Sequence, residues 1–174
     1  MSKERFYCVT FLAALLAPGI ALAHTGMGNT GIVAGFLHPL TGWDHVLFAL
    51  AAGLWLGSNR FSLKQGLAII LSPLMAGMLI GANGSHGVFM EVLLGVSVAT
   101  AVVMLLPRLS PGRLSGIALL STFALMHGLA HGHEMIGLSL QGSLTAAAIA
   151  FSTGGIFFAG HLTGLKSRFL HPQR

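Results

Sequence analysis

Charge is scarce in this chain of 174 residues. Lys and Arg together number nine and Asp and Glu four, so 7% of side chains are charged, where an average soluble domain carries about 25%. With 54% hydrophobic residues and a mean hydropathy of +0.82, that scarcity excludes a soluble globular enzyme and a disordered tail. The net charge of +5 is spread thinly and forms no basic stripe, which excludes a nucleic-acid binder. Cysteine is nearly absent: Cys8 stands alone, so no internal disulfide can form, and a metal site beyond the N-terminal segment must use nitrogen and oxygen. Acids are outnumbered by histidines, four to nine, and that inversion directs the rest of the reading.

Residues 1–23 have the layout of a cleaved secretory signal peptide. Lys3 and Arg5 form the charged start, 9–16 is an apolar run too short to span comfortably, Pro18 and Gly19 break it, and Ala21-Leu22-Ala23 is an A-x-A cleavage site. The remainder, 24–174, reads as a single integral membrane domain. A spanning helix needs about 20 mostly apolar residues, and five stretches qualify: 31–57, 63–82, 88–106, 114–132 and 140–165. The expected fold is all-α, a polytopic membrane helical bundle of about five transmembrane helices. Basic residues fall on alternate connections: Arg60 and Lys64, then Arg108 and Arg113, then Lys166, Arg168 and Arg174. By the positive-inside rule the mature N-terminus is expected in the periplasm and the C-terminus in the cytoplasm of a bacterium, with the bundle in the inner membrane. Gly77 with Gly81, and Gly160 with Gly164, have the spacing that lets helices in lipid approach closely.

The three acids beyond residue 23, Asp44, Glu91 and Glu134, all lie in or beside apolar stretches. A carboxylate at membrane depth costs a few kcal/mol or more and is tolerated when it is paired, faces the bundle interior or binds an ion. No Lys or Arg is close in sequence, but histidines are. In MHGLAHGHE, residues 126–134, His127, His131 and Glu134 stand at i, i+4 and i+7, within about 60° of one another on a helix. Two imidazoles and a carboxylate on one stripe can ligate a divalent cation, and His133 then points elsewhere. In HPLTGWDH, residues 38–45, Pro39 suits a first helical turn, which places His38 at the N-cap. Gly42 allows a local break or a close backbone approach. His38 and His45 share a face, and Asp44 is either a ligand or the acceptor for a ligating imidazole.

Glu91 opens the third span, as a further ligand or as an interfacial cap. The expected topology brings all three segments to one depth, so the candidate metal site is His38, Asp44, His45, Glu91, His127, His131 and Glu134. His161, late in the last span, is a second station or a hydrogen-bonded helix contact, while His86 falls in a loop and His171 in a polar tail. Without thiolate, such a set suits Ni²⁺, Co²⁺, Zn²⁺ or Fe²⁺.

The two segments resemble the signature pair HPxxGxDH and FHGxAHGxE of the HupE/UreJ family of nickel/cobalt permeases, in the same order, with Met126 where the family has Phe. The resemblance implies a secondary transporter bringing Ni²⁺ or Co²⁺ into the cytoplasm. It implies His38, Asp44, His45, His127, His131 and Glu134 as transport residues, with Glu91 a further one. It also implies a sixth span that this chain does not show. Either the coding sequence is truncated or a neighbouring subunit of a homo-oligomer supplies that helix. The expected partners are the cation and the lipid bilayer. No cofactor is expected, the cation being cargo, and no enzyme activity. No GxxxxGK[ST] phosphate loop occurs. Two other classes would use a similar ligand set. One is an intramembrane zinc hydrolase, against which stands the lack of HExxH. The other is a subunit delivering metal to a maturing metalloenzyme, against which stand the short connections.

Overall fold

The computed structural model describes residues 31–82, 88–134 and 139–167, and the expected signal peptide lies outside them. Six helices follow in order: α1 Ile32–Thr41, α2 Trp43–Ser58, α3 Leu63–Gly81, α4 Val88–Val103, α5 Arg113–Glu134 and α6 Leu140–Lys166. Local chemistry sets several of their ends. Ser62 caps α3 in a reciprocal box, accepting from the Gln65 N–H while the Gln65 carboxamide accepts from the Ser62 N–H. The Ser139 hydroxyl accepts from Gly142 N–H at the start of α6. α2 ends in a Schellman motif, with Phe61 N–H on the Leu56 carbonyl and Arg60 N–H on the Gly57 carbonyl. Arg60 takes the left-handed position there, at φ 62°.

The chain is an all-helical membrane bundle. Among the described residues three helices are long and apolar enough to cross a membrane: Leu63–Gly81, Arg113–His133 and Leu140–Lys166. Two of the five expected stretches take a particular form. The first span is two helices, because Gly42 leaves the helical region (φ −82°, ψ 111°) and ends α1 as it begins α2. The third, α4, has 16 residues, roughly 24 Å at 1.5 Å per residue, short of the ~30 Å hydrocarbon layer. Large apolar side chains cover the outside, including Trp43, Leu140 and Phe151, as lipid contact requires and as water would not tolerate over so wide an area.

The most extensive packing is between α3 and α5 and between α2 and α6. Both contacts are glycine seams. A methyl group added to Gly77 would fall on the Leu125 carbonyl oxygen, to Gly81 on that of Leu129, to Gly128 on that of Leu74, and to Gly132 on that of Met78. Gly53, Gly57, Gly160 and Gly164 meet the Phe157, His161, Leu50 and Leu54 carbonyls in the same reciprocal way. Within each pair the contacts advance in the same direction along both helices, so each pair runs parallel. The glycine spacings at 77/81 and 160/164 are those marked in the sequence; their partners are 128/132 and 53/57.

The two ends of the bundle differ. At one end Arg113 lies 4.4 Å over the Phe61 ring and Arg60 donates to the Leu165 carbonyl at 3.2 Å, so the basic residues gather there. Beneath them Phe61 stacks on Trp55, whose indole N–H donates to the Ser110 hydroxyl at 3.0 Å and whose ring rests against Gly116. The start of α2 and the end of α5 lie at the opposite end.

The seams predict an asymmetry among glycine variants. Gly77→Val or Gly132→Val puts a side chain into a facing backbone and should destabilise the detergent-solubilised protein by about 1–3 kcal/mol or more. Gly95 has nothing within 4 Å of an added methyl, so Gly95→Ala should leave the thermal midpoint unchanged or raise it. Thermal unfolding followed by tryptophan fluorescence checks both.

Candidate metal site

The site begins with how α1 is held. Its first N–H group, that of Gly31, donates to the Thr145 hydroxyl of α6 at 2.7 Å. The helix runs from Ile32, so Pro39 sits inside it and His38 lies in its last turn rather than at an N-cap. Pro39 is tolerated because its missing N–H forfeits one bond, to the Gly35 carbonyl, close to where the helix ends anyway. Thr41 then turns its hydroxyl back onto the Leu37 and His38 carbonyls, and Gly42 N–H closes onto the His38 carbonyl at 3.1 Å. Across the break at Gly42 the His38 and His45 rings stand 5.0 Å apart.

On α5 the histidines alternate with seam glycines. Adjacent residues are about 100° apart around a helix. While Gly128 and Gly132 press on α3, His127 and His131 therefore occupy the neighbouring face, toward α2. The His131 ring lies 4.9 Å from His38 and 4.6 Å from His45, and the His127 ring lies 5.5 Å from His45. Asp44 Oδ2 is 2.7 Å from His45 Nδ1. Asp44, His45, His127 and His131 are all at least 95% buried.

Two ligand groups result, His38–His45–His131 and Asp44–His45–His127, and they share His45. Within each, the ligand atoms lie no more than 4.8 Å apart. Two ligands on one ion are at most about 4.4 Å apart, twice a bond of ~2.2 Å, so side-chain movement of a few tenths of an ångström completes either group. A cavity of ≈ 10 Å³ lies against His45, His127 and His131, with Thr153 as a further polar wall and Phe48 and Leu74 among its apolar ones. That is room for one water-sized guest.

Five of the seven residues expected from the sequence are thus brought together: His38, Asp44, His45, His127 and His131. Glu91 is not among them. It is exposed in the first turn of α4, where the positive end of the helix dipole favours a carboxylate, and the buried polar residue of α4 is Ser97. The backbone of Glu134 ends α5, and its side chain, with His86 and His171, lies outside the described residues. His133 is exposed, as helix geometry expects. His161 is the hydrogen-bonded contact residue of its two readings: it is buried and its Nε2–H donates to the Phe61 carbonyl at 2.9 Å. Three contributors escaped the sequence: Ser97, with Oγ 3.0 Å from His127 Nε2, Thr153, and Phe48, stacked on the His127 ring at 4.6 Å. Only Phe48 left a signal, one helical turn after His45.

A profile of the HupE / UreJ protein family matches residues 12–172. The chain belongs to the HupE/UreJ family. It is similar to Protein HupE of Rhizobium leguminosarum bv. viciae, with 29% identity over 144 residues that span 81% of this chain and 74% of that protein. No solved structure matches it. In this HupE/UreJ protein the HPLTGWDH segment supplies the α1–α2 break and three of the clustered side chains, and MHGLAHGHE supplies two more together with half of a packing seam.

Gly42 carries a specific expectation. A methyl group there would lie 3.1 Å from Asp44 Oδ1 and 3.2 Å from His45 Nδ1, crowding that pair without straining the backbone. Gly42→Ala should weaken Co²⁺ binding by about tenfold, the lower end of what disturbing a ligand's supporting partner costs, with little change in thermal midpoint. Titration of the visible absorption of bound Co²⁺ measures the first and thermal unfolding the second.

Proposed function

We propose that this protein is a permease that carries Ni²⁺ or Co²⁺ across the bacterial inner membrane into the cytoplasm. The observation that carries the proposal is the pair of ligand groups sharing His45, buried inside a membrane bundle. Four imidazoles and one carboxylate in such a place are costly unless something charged or polar satisfies them. The donor set, nitrogen and oxygen without thiolate, suits nickel and cobalt, and family membership and the HupE relative support the same reading.

The basic end of the bundle faces the cytoplasm in this reading, by the positive-inside rule, and the histidine end opens to the periplasm. An incoming hydrated cation meets His38, His45 and His131 first and exchanges waters for imidazole nitrogen. Moving one step along the shared His45 brings it to Asp44 and His127, where a carboxylate offsets part of its charge. A membrane potential of 100 mV, negative inside, favours entry of a divalent ion by about 4.6 kcal/mol. Below the cavity Trp55 and Phe61 are buried and stacked on one another, and in this reading release to the cytoplasm passes through a rearrangement there.

The test is uptake of radiolabelled Ni²⁺ by cells expressing this chain alone, with Co²⁺ and Zn²⁺ as competitors and with the amount of protein in the membrane measured alongside. His45→Ala and His131→Ala should abolish accumulation at unchanged protein level, and Asp44→Asn should reduce it at least tenfold although its shape is kept. His133→Ala, off the cluster, should be silent. Normal accumulation in both the His45 and His131 variants would overturn the proposal.

A further inference from the structure

Ser97 is fully buried in α4 and touches two polar atoms at once. Its Oγ lies 2.6 Å from the Leu94 carbonyl oxygen, one turn back, and 3.0 Å from His127 Nε2. A serine hydroxyl has one proton to give and two lone pairs to offer. If that proton went to His127, an Oγ lone pair would face the Leu94 carbonyl lone pairs at 2.6 Å, a repulsive contact at a short hydrogen-bond distance. If the proton goes to Leu94, the oxygen is left as an acceptor and the imidazole must donate. Every polar atom in the chain of contacts is satisfied only in that second arrangement, running from His127 Nε2–H to Ser97 Oγ and from Ser97 O–H to the Leu94 carbonyl.

We propose that Ser97 is a positioning residue that fixes His127 in the tautomer protonated on Nε2, so that Nδ1 is the atom His127 offers to a cation. Phe48 acts with it: the two rings are nearly parallel, 19° apart, so Phe48 sets the plane of the imidazole while Ser97 sets its edge. The inference reaches α4, the helix from which the sequence offered Glu91. The contribution of α4 is a buried hydroxyl behind a ligand rather than a carboxylate beside it. A hydroxyl accepting from the far nitrogen also raises the basicity of the ligating one. The tautomer assignment stands on the hydrogen bonds alone, and only its consequence for metal affinity rests on the permease reading.

The experiment is long-range ¹H–¹⁵N NMR of histidine rings in the full chain, solubilised in detergent without metal, with the His127 signals assigned from their loss in His127→Gln. The expected spectrum has a protonated Nε2 and an unprotonated Nδ1 for His127. Ser97→Ala should convert it to a mixture of tautomers. Ser97→Cys, which nearly keeps the shape but offers only a weak acceptor, should do the same. Both variants should lose ten- to a hundredfold in Ni²⁺ affinity while unfolding at temperatures close to the parent. A proton found on Nδ1 in the parent, or an unchanged tautomer in Ser97→Ala, would overturn the assignment, as would a Ser97→Cys spectrum identical to the parent's. If instead the tautomer shifts as expected but His127→Gln binds Ni²⁺ like the parent, the positioning stands and it is the role of His127 in cation binding that fails.

Discussion

Backbone contact across glycine is the constraint on which the rest of this structure depends. Apolar surface gives helices little reason to associate in lipid, because the surrounding tails are equally apolar; association there relies on close packing and on polar contacts. The seams between α3 and α5 and between α2 and α6 supply the close packing. They also fix the rotation of α2 and α5 about their axes. Once Gly128 and Gly132 are pressed on α3, the faces of His127 and His131 are no longer free to choose. Once Gly53 and Gly57 are pressed on α6, the start of α2 carries Asp44 and His45 toward the same interior. Ligand placement is thus a consequence of packing several residues away from any ligand.

Those side chains are held in a place that penalises them. Buried polar groups inside a bilayer must find partners within the protein or bind something that enters. The contacts within the cluster, Asp44 with His45 and His127 with Ser97, satisfy part of that demand. The remaining nitrogens face one another across distances a little longer than an ion would impose. A cluster arranged this way is close to the geometry the proposed cation would require, so little ordering would remain to oppose binding.

Much of this was legible in the sequence. The i, i+4 spacing of His127 and His131, the recurrence of His38 and His45 beside Asp44, and the alternation of basic connections are periodic signals, and periodic signals survive translation into three dimensions. What failed was positional. Pro39 read as a helix start because proline favours first turns, yet the apolar residues before it propagate a helix that only Gly42 ends. Glu91 read either as a ligand or as an interfacial cap, and its exposed place in the first turn of α4 is that of the cap. Ser97 could not be read at all. A serine inside a helix ordinarily bonds its own backbone, as this one does with Leu94, and only the approach of α5 reveals the second use of its oxygen.

The interleaving of glycine and histidine in MHGLAHGHE changes how the motif should be understood. Its residues belong to two different physical problems that happen to share a helix. Gly128 and Gly132 answer the question of how near α5 can come to α3, where the penalty for a side chain is steric and falls on folding. His127 and His131 answer the question of what an ion meets, where the penalty for a lost imidazole falls on binding and leaves the seam untouched. The Gly42 segment has the same double character in reverse: the glycine's open space is needed by the ligands themselves, and the backbone there is ordinary. The motif is therefore not a single unit of chemistry. It is the place where the packing of a membrane bundle and a cluster of buried imidazoles meet on adjacent residues, and neither can shift along the helix without displacing the other.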